Sequence, residues 1–178
     1  AQEYIPSEII IIDQSESKQD QAANQVAVDV CNKITVVKYY YQSIPSLTKA
    51  RNKGFDYCEN DIVVFSDDDV DVEDSTLINI MEIMASADIA LIAALDTNMG
   101  TSKTNLGYLF GKKSFRNKNI GHVTLSMLGR YPDIICGDVD TQWAMGYFFA
   151  IRKSLTDKWN IRWDENLTSY AYAEDLDF

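Results

Sequence analysis

Apolar and polar positions along the 178-residue chain alternate between two periodicities. Runs rich in β-branched and aromatic residues at 8–12, 34–41, 62–65 and 89–95 read as strands. The stretches between them carry apolar residues at helical spacing: Ala23, Val26, Val30 and Cys31 in the first crossover, and Leu77, Ile80, Met81 and Met84 in the third, which opens on Asp74 or Ser75 as a cap. That rhythm predicts βαβ units. The expected fold is therefore α/β, a mostly parallel sheet covered on both faces as a three-layer α/β/α sandwich. After Asp96 the pattern changes, and 97–130, rich in Gly, Asn, Lys and Ser, reads as a long loop or a pair of irregular hairpins. Regular structure is expected to resume near 143–151. No linker, repeat or low-complexity tract divides the chain, so 1–178 reads as a single domain.

Three of the four predicted strands end in acid: Asp13 after Ile12, Asp67, Asp68 and Asp69 after the run that closes at Phe65, and Asp96 after Leu95. Ligands of open α/β sheets bind beyond the carboxyl ends of strands, so these acids are expected to line one crevice. In extended chain alternate side chains share a face, which would aim Asp67 and Asp69 together and Asp68 away. Two carboxylates directed at one spot suit a hard divalent cation. A solvated acidic turn is the simpler reading of this segment taken alone; the convergence of acids from several strands weighs against it.

Charge and cysteine usage narrow the class. A net charge of −11 argues against electrostatic binding to nucleic acid or an anionic membrane, except where a metal bridges the acids to a phosphate. The three cysteines, Cys31, Cys58 and Cys136, have neither paired nor metal-ligand spacing and read as reduced core thiols in a cytoplasmic setting. No apolar run approaches the roughly 20 residues that span a bilayer, and no signal-peptide pattern opens the chain.

Several motif readings fail on the letters. A calcium loop starting at Asp67 needs Gly and Glu where Val72 and Ile78 stand. A phosphate loop around Gly111 and Lys112 fails because Gly107 is one residue too close and Lys113 replaces Ser or Thr. An aspartyl-phosphate phosphatase, whose strand also ends in two alternating acids, resembles Asp-x-Asp-x-Thr/Val, and Asp71 in the last place leaves it only a remote option. The single histidine, His122, excludes a histidine-rich metal site and reads as a loop residue.

Four ordered segments carry a family resemblance: Glu8-Ile-Ile-Ile-Ile-Asp13, Leu47-Thr-Lys-Ala-Arg51-Asn52-Lys-Gly54, Val64-Phe-Ser-Asp67-Asp68-Asp69 and Ala173-Glu174-Asp175-Leu-Asp177. Together they resemble the motifs of the family 2 glycosyltransferases, which have the GT-A fold. The resemblance implies a nucleotide-diphospho-sugar donor, a Mn²⁺ or Mg²⁺ ion held by the Asp-x-Asp motif, and inverting transfer to the hydroxyl of a glycan or lipid-linked acceptor. It implies donor-binding roles for Asp13, which would face the nucleobase, and for Arg51, Asn52, Asp67 and Asp68. Asp69 would hold the metal. Trp143, Gly146 and Tyr147, with Arg152 close behind, resemble the strand bordering the acceptor pocket, and Asp175 resembles the catalytic base. Gln14-Ser15-Glu16 departs from the family's usual Asp-Gly-Ser. Measured against the family, the chain reads as a fragment lacking the first strand and the C-terminal part. The location this suggests is cytoplasmic, at the inner face of the membrane, with any peripheral association belonging to the full protein.

Such a site is chemically coherent. Charge grows on the departing diphosphate, a divalent ion neutralises it, and one carboxylate opposite the leaving group suffices to deprotonate the incoming hydroxyl. Two other readings stay open at this point. One is a noncatalytic sugar-nucleotide or glycan-binding domain, which has no need of a base at Asp175; the other is a nucleotidyltransferase on a related sheet.

Overall fold

A computed structural model describes residues 3–94, 121–123, 129–130, 138 and 140–167. The expected positions Asp96, Cys136, Glu174, Asp175 and Asp177 lie outside the described residues.

The chain is an α/β alternation, β1 (Glu8–Asp13), α1 (Lys18–Cys31), β2 (Val36–Tyr41), α2 (Leu47–Tyr57), β3 (Ile62–Ser66), α3 (Thr76–Ile83) and β4 (Leu91–Ala93). After it come the two-residue strands β5 (His122–Val123) and β6 (Gly129–Arg130), then β7 (Phe148–Arg152) and α4 (Lys153–Trp159). Local chemistry accounts for the boundaries. Ser17 caps α1 by accepting from the Asp20 amide at 3.0 Å and donating to its carboxylate at 2.7 Å. Ser46 caps α2. Ser75 stands at the start of α3 without a side-chain cap bond. Helix α4 is capped from outside its own sequence: Asp61 accepts from the Lys153 amide through its carbonyl and from the Ser154 amide through its carboxylate, both at 2.7 Å.

β1 and β2 pair in parallel, from Glu8 opposite Val36 to Asp13 opposite Tyr41. The expected mostly parallel sheet is corrected in the second ladder, ordered β3-β7-β4, where β7 runs antiparallel to both neighbours. β3 and β4 are joined by α3 and keep the parallel sense that a crossover imposes, while β7 follows the long 95–147 segment and is free to enter from the other end. All residues of β7 from Phe148 to Ile151 are buried, so no alternation in the letters marks its direction.

Alternate residues of this ladder feed two cores. Phe55 of α2 packs with Val63, Phe149, Ile151 and Trp163 on one face. On the other, Ile80 and Met84 of α3 pack with Phe148 and Ala150, flanked by Ile62 and Val64. Helix α2 also lies against β1, where Gly54 approaches Ile12. One helix thus bridges both ladders.

The two ladders share a direction. Glu8, at the start of β1, accepts from the Glu59 amide and the Asn60 side chain, both at 2.9 Å, just ahead of β3. At the other ends, Gln14 bonds Ser46 at the start of α2, and Arg51 of α2 reaches Asp67. The carboxyl ends of β1 and β3 therefore open on the same side, and Asp13 and Asp67 share that edge.

Two sequence expectations change. Cys31 is exposed and Cys58 half-buried, so neither is a fully buried core thiol. In α1 the buried apolar residue is Val28, while Val26 and Val30 are exposed. The inward face of α1 carries Gln21 and Asn24 beside Val28, because it serves a polar turn described below.

Candidate active site

The turn after β3 places Asp67, Asp68 and Asp69 in solvent at the shared edge. Asp67 is anchored through its main chain, its amide donating to the Tyr147 carbonyl at 2.9 Å. Its carboxylate lies 3.9 Å from the Arg51 guanidinium, which also donates to the Gly146 carbonyl at 2.7 Å. Arg51 is only 7% exposed. Its charge is accommodated by the faces of Phe149 and Trp163, 5.5 and 5.8 Å from the guanidinium carbon, together with these oxygens. The result is a fixed cation just beneath an acidic strand end, in a chain whose net charge is negative.

Asn52, one residue on, is 8% exposed and turns into the core. Its amide donates to the Trp163 carbonyl at 2.9 Å and to the Glu165 carboxylate at 3.1 Å, and its oxygen accepts from the Trp163 amide at 3.1 Å. Thr48, a turn earlier on the same face, donates to the Leu167 carbonyl at 3.2 Å. The buried face of α2 thereby fixes 163–167, the last described stretch before the Glu174-Asp175 pair. Sequence reading assigned Arg51 and Asn52 to the donor; the structure shows both engaged with main chain of 146 and 163.

On the neighbouring strand end, Gly146 and Tyr147 meet this cluster, and the Tyr147 hydroxyl donates to the Ala94 carbonyl at 3.1 Å beyond β4. Trp143 is half-buried, its indole directly over Gly129, where an added Cβ would stand 2.5 Å from the ring. Any larger residue at 129 would displace the indole. Arg152 sits at the far end of β7, opposite Ile62, where it bonds Asp61, the Met84 carbonyl at the end of α3 and the Ile89 carbonyl ahead of β4. It belongs to the opposite edge from Asp67, away from Gly146 and Tyr147.

Asp13, 6% exposed, forms the third part of the edge. Its carboxylate accepts from the Ser15 amide and hydroxyl, from the Asn24 amide and from the Tyr39 hydroxyl. Burial pushes its pKa up, but these donors outweigh burial and hold it well below the usual carboxylate range. Tyr39 is pushed up to about 12, chiefly by its bond to Asp13. Sequence reading missed Tyr39 and Asn24. The parallel register could have found Tyr39, which stands opposite Ile11 and hence diagonal to Asp13 on the same face.

Among the described residues no three His, Cys, Asp or Glu side chains gather into a ready-made metal cage. The exposed carboxylates of the 67–69 turn fit a different arrangement, in which a hard cation takes one or two protein oxygens and completes its shell from phosphates and water. No helix among the described residues is long and apolar enough to cross a membrane.

Comparison with curated proteins and with solved structures returned no match. The sequence model of glycosyl transferase family 2 does match, over residues 1–159, a span that contains Asp13, Arg51, the 67–69 turn and the 143–147 segment. With nine-tenths of its length matched, the chain belongs to glycosyl transferase family 2.

Proposed function

We propose that the protein transfers a sugar from a nucleotide-diphospho-sugar to the hydroxyl of a glycan or lipid-linked acceptor, with inversion, as one GT-A domain of three-layer α/β/α type. The observation that carries this reading is the site edge itself. Asp67, the buried Arg51 cation and the 146–147 main chain meet where β3 ends and β7 begins, on the same side as the carboxyl end of β1. A buried, oriented guanidinium beneath exposed carboxylates supports binding of an anionic diphosphate together with a divalent cation: the acids suit the cation, and the fixed positive charge offsets the repulsion they would exert on the diphosphate.

In this reading Asp13, Asp67 and Asp68 form the donor side, with Arg51 and Asn52 supporting it from the core. Trp143, Gly146 and Tyr147 border the acceptor, and Asp175 removes the proton from the attacking hydroxyl. Asp69 would hold Mn²⁺ or Mg²⁺, which when bound supplies charge neutralisation of the departing diphosphate. Attack from the face opposite the leaving group, with a single carboxylate as base, yields inversion.

A thermal-shift panel of nucleotide sugars with and without Mn²⁺ tests the reading. Metal-dependent stabilisation by at least one nucleotide sugar, and release of its nucleoside diphosphate on turnover, are expected. Stabilisation by a sugar nucleotide without any turnover would favour the noncatalytic binding domain. Turnover of a nucleoside triphosphate with release of pyrophosphate would favour the nucleotidyltransferase.

A further inference from the structure

The turn between β1 and α1 is built around one carboxylate whose accepting capacity is taken up by the protein. On Asp13, Oδ1 accepts from the Ser15 amide at 2.7 Å and from the Ser15 hydroxyl, while Oδ2 accepts from Asn24 Nδ2 at 3.1 Å and from the Tyr39 hydroxyl. An ionised carboxylate offers about four lone-pair sites, and four donors from the chain meet them. The surrounding residues are tied down as well. Gln14 donates to the Ser46 carbonyl at 3.0 Å and accepts from the Ser46 amide at 3.2 Å, joining the turn to the start of α2. Gln21 donates to the Ser15 carbonyl at 2.9 Å. Gln14 and Ser15, which depart from the family's usual Asp-Gly, are thus the residues that lock this turn.

We propose that Asp13 serves the donor pocket as a positioning residue, the hub of a Ser15–Asn24–Tyr39 cage that sets the shape of the β1–α1 turn, and that it does not itself read the nucleobase. The inference rests on the nucleotide-sugar reading above. A base N–H that reached Asp13 would have to displace the Tyr39 hydroxyl from its carboxylate acceptor, or the Asn24 amide, which would keep only its bond to Ser15 Oγ at 3.2 Å. That loss cancels the new bond, so the carboxylate gains nothing by the exchange. Tyr39 and Asn24 therefore act on the donor through Asp13, and nucleobase preference is set by other groups of the pocket.

Titration calorimetry of UDP, GDP, CDP and ADP with Mn²⁺ tests this on the wild-type protein, Asp13→Asn and Tyr39→Phe, at a temperature where all three have the same far-UV circular dichroism. Every nucleotide is expected to weaken by one common factor. That factor is roughly tenfold for Asp13→Asn, equivalent to about 1.4 kcal/mol, and smaller for Tyr39→Phe, with the order of preference unchanged. A tenfold change of preference between bases in Asp13→Asn would overturn the inference in favour of direct reading. A lowered melting temperature with unchanged affinities would overturn it in favour of a purely structural role. If Asp13→Asn does not fold, Tyr39→Phe decides alone, because direct reading predicts that freeing a lone pair on Asp13 leaves affinity unchanged or raises it. Failure of the wild type to bind any of the four would remove the nucleotide-sugar reading itself and this inference with it.

Discussion

Replacing Asn52 measures how firmly α2 holds the stretch that leads to Asp175. Its amide satisfies both the N–H and the C=O of Trp163, a residue 3% exposed, at 3.1 and 2.9 Å. An orphaned buried polar group costs about 1–3 kcal/mol. Asn52→Ala exposes two such groups but also opens a space of about one water volume, and a water bridging them recovers part of the loss. The expected cost for Ala is therefore about 2 kcal/mol. Asn52→Leu fills the same space with methyl groups and admits no water, so both groups stay orphaned and about 3–4 kcal/mol is expected.

For a chain of this length about 2–4 °C of melting temperature is lost per kcal/mol, so Ala should melt about 4–8 °C lower and Leu lower still. Urea unfolding followed by far-UV circular dichroism gives the free energies. The informative result is the order: the larger, more hydrophobic Leu must be worse than Ala. If Leu equals wild type within 0.5 kcal/mol, Asn52 does not carry the 163 segment, and its place in the family motif needs another explanation.

Asp69→Asn keeps the shape of the side chain but removes the charge that holds a hard cation, so donor affinity in Mn²⁺ should fall to the level seen with EDTA; calorimetry showing equal affinity in variant and wild type would refute the metal assignment. Asp175→Asn should leave donor binding intact while lowering transfer by roughly 10²–10⁴-fold, and a near wild-type rate would promote Glu174 or Asp177 as base. Stability should fall on both sides of neutrality in urea titrations. Asp13, Glu8, Asp61 and Asp157 are all held below the ordinary carboxylate range, so their contribution is full above the unfolded value near 4 and is lost as the pH drops below it. Tyr39, raised from 10.0 to about 12, contributes fully below pH 10 and loses that contribution between the two values. Lys38, held up by Glu59 and Glu8, adds a fall on the same alkaline side, so Tyr39→Phe should shrink the alkaline decline without abolishing it.

The strands were legible because their residues are locally decisive. β-branched runs bounded by acids and turn residues leave few alternatives, and the runs at 8–12 and 62–65 fall within one residue of β1 and β3. The run at 34–41 begins two residues early, since Ile34 belongs to the turn that closes α1. Strand direction was not legible for β7. Phe148 to Ile151 is apolar at every position, and its antiparallel entry depends on where the preceding segment leaves it, which no residue within the strand encodes.

The site shows a second limit of the same kind. The strand-end pattern marks Asp13 and the 67–69 acids, and the family resemblance adds Arg51 and implies a ligand role for each. Polar residues on helices and strands read as surface, and Asn24, Tyr39 and Thr48 gave no signal of their own. In the structure these quiet residues determine what the charged ones can do. Asn24 and Tyr39 occupy the Asp13 carboxylate, and Phe149, Trp163 and the Gly146 carbonyl hold Arg51 below the surface. A buried guanidinium so enclosed cannot swing out to follow a substrate, whereas the carboxylates of the 67–69 turn stand in solvent. The physical division at this edge is therefore between a cation and a carboxylate hub enclosed by the core and a set of acids exposed to solvent, and the second set is where a bound cation and diphosphate would be met first.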